Sequence, residues 1–281
     1  MTRLFIEGVT GIDCGILDSE LGLIGQSWLV DLNLEGPRNA QGMVIDFGIV
    51  KPALRDICRH SFDHRLLVPL QSPSLQQSST ASGLRIEYTY HQDQRLSHLS
   101  PEASVRHIET RQVSRQVLEE TLALELSAML NGSDIAVTIR LREAHANLPN
   151  GFRYTHGLRQ HHGECQRIGH GHASQLEIRV DGVRSADDES TMVTELINKH
   201  IVASADIIAR QGDRVQLGYD AVAGRHELEL PASRVFALEG EATVENIAEH
   251  IAEDRKDRHA GRHIEVTVWE GTGKGATAIR N

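Results

Sequence analysis

Three histidines and a cysteine in one short stretch of the chain have the residue types of a catalytic metal site. His156 lies in an alternating apolar run, His170 and His172 flank a glycine in an HGH tripeptide, and Cys165 lies between them. Catalytic zinc sites take three protein ligands and leave a fourth position for water or substrate. Residues two apart on a strand share a face, so His170 and His172 can act together. The stretch therefore predicts an open zinc site beside a thiol.

Length and composition limit the class of protein. The chain has 281 residues, of which 40% are hydrophobic and 24% charged, as in ordinary globular proteins. It contains no apolar run of the ~18 residues that a membrane helix needs, and no signal-peptide core is evident, so we expect a cytoplasmic protein without a membrane partner. The formal net charge of −10 argues against nucleic acid as a partner. Three scattered cysteines favour reduced thiols over a disulfide framework.

The predicted elements occur in the same order in both halves of the chain. The first half has predicted strands at 3–9, 27–34, 84–90 and 135–141, helices at 49–58 and 109–130, and an exposed Ser- and Gln-rich loop at 71–83. The second half has predicted strands at 152–158, 174–180, 214–220 and 264–269 and helices at 189–207 and 244–253. This order predicts duplication of one α+β unit, with repeats at 1–147 and 148–281 separated where Leu-Pro-Asn-Gly breaks the pattern.

Four motifs of the second half follow one another in an informative order. They are F-x-x-x-H-x-L at 152–158, a Cys before HGH at 165–172, T-x-E-N at 243–246 and V-x-E at 268–270. In this order they resemble the 6-pyruvoyl-tetrahydropterin synthase and 6-carboxytetrahydropterin synthase family. The resemblance implies that zinc is the cofactor and that its ligands are His156, His170 and His172.

The same resemblance implies roles for other residues of the second half. Cys165 would be the catalytic base or proton shuttle, with the adjacent Glu164 as an alternative proton acceptor. Glu270 would anchor the pterin ring of a small-molecule substrate. Glu245 lies in the first turn of a helix that Thr243 caps, where a negative charge is favourable, and it would help to bind the ring.

Two further elements of the family stand in the first half of the chain. They are an Asp-Phe before the first helix, at 46–47, and the Asp63-His64 pair after it, whereas the corresponding stretch of the second half lacks such a pair. Conversely, the first half has Gln26 where the second has an HGH histidine, and Leu141 where the second has Glu270. We therefore predict one site that joins catalytic Asp63 and His64 to the zinc ligands, either within one chain or across a dimer contact.

The resemblance also implies a fold and a function. The fold would be α+β, with two tandem tunnelling-fold repeats, each an antiparallel four-stranded sheet with two helices on one face. Exposed sheet edges lead us to expect a homodimer or homotrimer that closes a β-barrel. The function would be that of a zinc-dependent lyase acting on 7,8-dihydroneopterin triphosphate. The 6-carboxy product, which feeds queuosine biosynthesis, is favoured over the 6-pyruvoyl product. Aldolase-type cleavage of another dihydropterin and a non-catalytic pterin- or purine-binding protein remain alternatives.

Overall fold

Hairpins, helices and meanders alternate along the chain in an order that occurs twice. The computed structural model describes residues 1–130, 134–145 and 148–281. In the first half the elements are β1 (Thr2–Asp18), β2 (Gly22–Gly36), α1 (Phe47–Ser61), β3 (Leu66–Pro69), β4 (Leu75–Thr80), β5 (Gly83–Tyr90), β6 (Gln94–Ser100), β7 (Val105–Ile108), α2 (Arg115–Met129) and β8 (Ala136–Glu143). In the second half they are β9 (Gly151–His156), β10 (His170–Val180), β11 (Val183–Arg184), α3 (Ala186–Leu196), β12 (Lys199–Ala203), β13 (Ile207–Gln211), β14 (Arg214–Ala221), β15 (Gly224–Pro231), β16 (Val235–Leu238), α4 (Val244–Arg258), β17 (Ile264–Trp269) and β18 (Gly275–Arg280). The predicted α+β class is confirmed, and the predicted repeat boundary at Asn147 lies outside the described residues.

Each half of the chain builds a sheet of its own. The first sheet has the order β7-β3-β1-β2-β8 and the second has the order β16-β12-β9-β10-β17-β18, with β11 paired to β10. The second sheet contains an antiparallel run of four strands, but in both sheets two further strands pair in parallel. The prediction of four antiparallel strands alone is therefore wrong. The parallel pairs arise because the chain returns through α1 or α3 to the outer edge of its own hairpin.

The meanders of the two halves join into a third, shared sheet. Its order is β13-β14-β15-β6-β5-β4, and the central pair sets His98 opposite Leu228. The predicted loop at 71–83 is wrong for residues 75–80, which form the exposed edge strand β4. The Ser and Gln residues of β4 predicted a loop because an edge strand that faces solvent carries polar side chains, as loops do.

The predicted helix at 189–207 is wrong in its second half. The helix α3 ends at Leu196, and the chain turns at Asn198, where φ is +57°, into the strand β12. Asparagine tolerates this left-handed conformation better than most residues. The misassignment arises because a short, fully buried apolar run does not distinguish a helix from a strand.

Three apolar cores hold these layers together. The helices α1 and α2 share one core with the first sheet, and α3 and α4 share a second core with the second sheet. A third core lies against the shared sheet and takes residues from both halves, among them Leu17, Leu66, Val202 and Leu217. None of the helices in the described residues is both long enough and apolar enough to cross a bilayer. The third core joins the two repeats over a continuous apolar surface.

The hairpins of the two halves cross at a pair of glycines. A Cβ atom on Gly25 would overlap the carbonyl oxygen of Tyr154, and one on Gly171 would lie 2.7 Å from the Cα of Gly25. At the same crossing the Ala173 N–H donates to the Ser27 hydroxyl at 3.0 Å. Only glycine allows two backbones to approach this closely. The crossing brings side chains of β1 to the start of β10, where two of the histidines lie.

Candidate active site

The three histidines lie where β9 and β10 pair. His156 is the last residue of β9, and His170, directly opposite it, is the first residue of β10. One ligand nitrogen of each imidazole, including that of His172, lies within 4.8 Å of the other two, and all three side chains are buried. The structure thus brings the predicted metal ligands together on one face of a hairpin.

The Nδ1 atom of each imidazole faces a protein oxygen. These oxygens are Ala242 O at 2.8 Å from His156, Arg167 O at 2.7 Å from His170, and Asp13 Oδ1 at 3.3 Å from His172. An oxygen at Nδ1 favours the tautomer that leaves Nε2 free for a metal, as is usual for ligating histidines. The arrangement therefore leaves the Nε2 atoms available to a metal, and those of His156 and His172 lie 3.0 Å apart.

The protonation and bonding of the histidines fit a metal ion. Burial and the neighbouring His172 lower the pKa of His156 to about 3, and burial with the neighbouring His156 lowers the pKa of His170 well below its usual range. Within the described part of the chain, the buried His170 Nε2 makes no hydrogen bond, an arrangement that costs ~1–3 kcal/mol if nothing binds there. Neutral imidazoles with free nitrogens are the ligands that zinc takes in catalytic sites.

Asp63 and His64 reach the same place from the end of α1. His64 Nδ1 lies 2.9 Å from Asp63 Oδ2, and Asp63 Oδ1 accepts a hydrogen bond from the Asp13 N–H at 2.8 Å. The His64 ring also hydrogen-bonds Cys165, and its centroid lies 5.0 Å from that of His170. Burial disfavours the charged form of His64, but the hydrogen bonds to Asp63 and Cys165 raise its pKa to about 10. The pair from the first repeat and the thiol from the second meet within one chain.

The predicted pterin-binding residues lie at different distances from the histidines. Glu270 follows β17, and its Oε1 lies 3.7 Å from His172 Nε2. Thr243 caps α4 by accepting a hydrogen bond from the Asn246 N–H at 3.2 Å. Glu245 is exposed on the first turn of that helix. The structure therefore brings Glu270 to the metal ligands and leaves Glu245 at the periphery.

The alternative proton acceptor, Glu164, has a different partner. Its Oε1 lies 2.8 Å from Arg167 Nη2 in an ion pair. The neighbouring Cys165, and not Glu164, makes the contact with His64. Of the two alternatives, the thiol of Cys165 is therefore the group that lies against His64.

Two charged residues at the site were missed by sequence reasoning. The first is Asp13 of β1, whose carboxylate accepts a hydrogen bond from the Ser27 hydroxyl. The second is Lys274, whose Nζ lies 3.7 Å from Asp13 Oδ2 and 3.3 Å from Glu270 Oε2. Burial raises the pKa of Asp13, but His172, Ser27 and Lys274 together outweigh burial and hold the pKa well below its usual value, so the carboxyl stays ionised. The available signals were a lone Asp in an apolar strand and a Lys in the Gly-rich run GTGKG.

A cavity adjoins this group of charges. It has a volume of about 280 Å³, and its lining includes Asp13, Trp28, His64 and Lys274. Ligand pockets of ~300–1,000 Å³ take most small molecules. The cavity is thus close to the lower end of that range, and Asp63 and His64 form part of its lining.

The shared sheet holds the loop that carries Cys165. The Tyr219 hydroxyl donates to Gln166 O at 2.8 Å, the Ala223 N–H donates to Gln166 Oε1 at 3.0 Å, and His98 Nε2 lies 3.0 Å from Ile168 O. His98 belongs to the first half of the chain and Tyr219 to the second. Both halves therefore contribute to the position of the thiol.

Strand register identifies the counterparts of these residues in the other half. In the first hairpin Gly25 pairs with Gly15, and in the second Gly171 pairs with Thr155. When these two pairs are superimposed, the first-half positions that correspond to His156, His170 and His172 are Ile16, Ile24 and Gln26. The counterpart of His64 in the second half is Asn198. The φ angle is +53° at His64 and +57° at Asn198. The His64 N–H donates to Asp13 O and the Asn198 N–H donates to Arg153 O, each at 2.6 Å. The first half thus repeats the backbone of the metal-ligand hairpin without its three imidazoles, and the second half repeats the turn of His64 without its imidazole.

The expectation that Leu141 corresponds to Glu270 is wrong. Val30 pairs with Leu141 in the first sheet, and the equivalent residue Leu176 pairs with Val268 in the second. Leu141 therefore corresponds to Val268, and Glu143, two residues later, corresponds to Glu270. A shift of two residues preserves the alternation of a strand, so the sequence pattern could not reveal it.

Comparison with known proteins agrees with this geometry. The sequence model of the 6-pyruvoyl tetrahydropterin synthase family matches residues 23–120 and 147–281. The chain belongs to this family. Its two matched segments are consistent with a tandem duplication of the family's unit, and membership supports a pterin synthase of the lyase type in general terms.

Solved structures of the synthase family each match about half the length of this chain. The 6-pyruvoyl tetrahydropterin synthase from Plasmodium vivax is 21% identical and covers 50% of this chain and 97% of its own, with a TM-score of 0.41. The enzyme from Plasmodium falciparum is 19% identical and covers 51% of this chain and 98% of its own, with a TM-score of 0.40. No curated protein matches the chain.

Proposed function

We propose that this chain is a zinc-dependent lyase that converts 7,8-dihydroneopterin triphosphate to a 6-substituted tetrahydropterin. The observation that carries the proposal is the meeting of Asp63, His64 and Cys165 with the three buried histidines in one chain. Membership of the synthase family supports a pterin as the substrate. The site joins both repeats, so each chain would hold one functional site.

In this proposal His156, His170 and His172 hold the zinc ion. When bound, zinc polarises side-chain oxygens of the substrate as a Lewis acid, which lowers the cost of negative charge on them. Asp13 and the two backbone carbonyls at Nδ1 keep the imidazoles in the tautomer that binds metal. The burial of the three imidazoles excludes water from the reacting end of the substrate.

Proton transfer is assigned to Cys165 and His64. The Cys165 thiol gives its proton to His64, and the thiolate then takes a carbon-bound proton next to a hydroxyl or carbonyl group of the substrate. Asp63 orients the imidazole and stabilises its cationic form, as carboxylates do in other acid-base relays. The hydrogen bonds on both sides of His64 support this sequence of transfers.

Recognition of the ring is assigned to Glu270. Its carboxylate can accept two hydrogen bonds, from the amino group and the ring N–H of a pterin. Burial raises the pKa of Glu270, but His172, His156 and Lys274 lower it below its usual value, so the carboxylate is ionised and ready to accept. Glu245, on the helix that Thr243 caps, would approach the ring from the periphery.

The test is a product analysis. Zinc-loaded protein is incubated with dihydroneopterin triphosphate, and the products are identified by mass beside those of Cys165→Ala. We favour the 6-carboxy product, which acetaldehyde would accompany, over the 6-pyruvoyl product. Turnover that Cys165→Ala abolishes supports the proposal. Pterin binding by zinc-replete protein without any product would contradict it and leave a binding protein.

We also propose that the chain forms a closed homo-oligomer. β8 and β18 each end the strand order of their sheets, and free strand edges pair readily with other strands. Light scattering should give the mass of a dimer or a trimer, and a monomer at micromolar concentration would contradict this.

A further inference from the structure

A second group of metal-ligand side chains overlaps the three histidines. In the part of the chain that the structure describes, His64, Cys165 and His170 also bring one ligand atom each to within 4.8 Å of the other two. His170 belongs to both groups, while the thiol and the imidazole of His64 replace the other two histidines. Imidazoles and thiolates are both ligands of tetrahedral metal sites. The relay residues thus have the composition of a metal site of their own.

Both imidazoles of this second group are oriented as ligands. His64 Nδ1 lies 2.9 Å from Asp63 Oδ2, and His170 Nδ1 lies 2.7 Å from Arg167 O. An oxygen at Nδ1 fixes the tautomer and leaves Nε2 for a metal. His170 therefore offers one nitrogen, which binds one metal at a time. The two groups cannot both be complete at once.

Cys165 is the cysteine of this chain that is most open to a metal. It is half-buried, whereas Cys14 and Cys58 are buried. Burial raises the pKa of Cys58 to about 12 and raises the pKa of Cys14 well above its usual value. A thiol must lose its proton to bind metal, so neither buried cysteine competes with Cys165.

The cavity beside the relay gives a cation access to this group. Its lining includes His64, the carboxylates of Asp13 and Asp63, and the ammonium of Lys274. Clefts lined by an excess of one charge raise the local concentration of ions of the opposite charge. Two carboxylates against one ammonium therefore favour the entry of a metal ion on the side where His64 lies.

We propose that His64, Cys165 and His170 form a second metal site, which binds a soft divalent cation such as cadmium. Thiolates favour softer cations than imidazoles do. On binding, Cys165 releases its proton to solvent, as does His64 Nε2 where it is protonated, and bonds from sulfur and nitrogen to the metal replace the hydrogen bond between them. The site excludes the metal of the three histidines because His170 is shared. A cation there would stop the relay, a consequence that rests on the proposed function.

The probe for a direct test is cadmium, titrated into the metal-free full chain and followed by the ultraviolet charge-transfer band of thiolate-bound cadmium. Wild type should bind a single cadmium ion with this band. Cys165→Ala, which retains the other two cysteines, should lose the band. His64→Asn should weaken binding by about tenfold or more, since loss of even an outer-shell partner of a ligand costs ~10–100-fold in metal affinity. The matched control is His60→Asn, an exposed position on α1, which should change nothing.

The competing explanation is that Cys165 is a fourth ligand to the metal of the three histidines. His156→Ala separates the two arrangements, because the proposal expects it to keep the band and nearly the same affinity. Loss of the band in His156→Ala, with unchanged binding in His64→Asn, would overturn the proposal. X-ray absorption on cadmium-loaded wild type needs no variant that must fold. One sulfur with two imidazoles supports the proposal, whereas one sulfur with three imidazoles, or no sulfur, contradicts it.

Competition with zinc tests the shared ligand. In zinc-loaded protein the band should grow only as zinc is released, which elemental analysis after dialysis measures. A chain that holds zinc together with thiolate-bound cadmium would refute the exclusion.

The spectra separate this inference from the proposed function because they require no turnover. Turnover by zinc-loaded protein without any cadmium band would remove the second site and keep the lyase. A band that depends on His64, in a protein without turnover, would keep the second site and remove the lyase. If both hold, cadmium should abolish turnover in proportion to the growth of the band.

Discussion

The two halves of the molecule offer the same backbone at two equivalent places, and only one of them has the side chains of a metal site. The three histidines are replaced in the first half by Ile16, Ile24 and Gln26. Ile16 and Ile24 are 6% and 8% exposed, and a buried isoleucine contributes ~1.5–3 kcal/mol to stability. A buried histidine without a metal would cost free energy instead. Losing metal chemistry is thus compatible with a stable fold.

The relay shows the converse pattern. His64 and Asn198 occupy equivalent left-handed turns, but only His64 follows an aspartate, and Ile197 stands before Asn198. The backbone requirement is met by either residue because both His and Asn are enriched at positive φ. The comparison teaches that turn geometry persists in both halves, whereas the imidazole persists only where Cys165 can reach it.

The largest expected effect comes from removing a metal ligand. His170→Ala should reduce bound zinc from about one per chain to near zero and abolish turnover, because two imidazoles no longer complete a three-ligand site. Gln26→Ala, at the counterpart of His172, should leave zinc unchanged. Elemental analysis of dialysed protein measures both. Two zinc ions per wild-type chain would show that the first half still binds metal.

The relay should affect rate without affecting metal. His64→Asn copies the residue of the other half, so the left-handed turn is kept while the imidazole is lost. We expect kcat to fall by ~10²–10⁴-fold, the usual contribution of a general acid or base, at unchanged zinc content. Asn198→Gly is the control and should keep full activity. Unchanged turnover in His64→Asn would refute the role of both repeats in one site.

Sequence pattern predicted which residues meet at the candidate site better than it predicted the strands and helices around them. The strand at 264–269 and the HGH pair were found because alternation and motif are local properties of the chain. Asp13 was missed because its role depends on the crossing of two hairpins from different halves. The parallel strands β3 and β12 were missed because four or five buried residues have no informative period. The counterpart of Glu270 required the strand register, which the sequence does not display.

The crossing of the halves can be broken at its glycines. Gly25→Ala would drive a Cβ into the backbone of β9, and overpacking of this kind costs ~1–3 kcal/mol or more. The control is Gly11→Ala on β1, where the nearest atom to a new Cβ is Trp28 O at 3.7 Å. Chemical denaturation followed by circular dichroism should show a lower midpoint for Gly25→Ala alone. Equal midpoints would mean that the two hairpins can separate at little cost.

The smallest expected effect concerns the hold on the Cys165 loop. Tyr219→Phe removes the hydroxyl that donates to Gln166 O, a hydrogen bond that contributes ~0.5–1.5 kcal/mol. Its counterpart in the first half is Tyr88. Tyr88 pairs with Leu96 between β5 and β6, and Tyr219 pairs with His226 at the equivalent place between β14 and β15. Tyr88→Phe is therefore a control with the same chemical change in the same sheet.

We expect Tyr219→Phe to lower kcat by about two- to tenfold, because a hydrogen bond of that size corresponds to that factor in rate. It should also raise the rate of Cys165 alkylation by iodoacetamide, since a looser loop exposes the half-buried thiol, whereas Tyr88→Phe should change neither quantity. A merely structural tyrosine would lower the Tm and leave the alkylation rate of the folded protein unchanged. Equal effects of the two variants would mean that the shared sheet supports both halves alike and gives the thiol no special position.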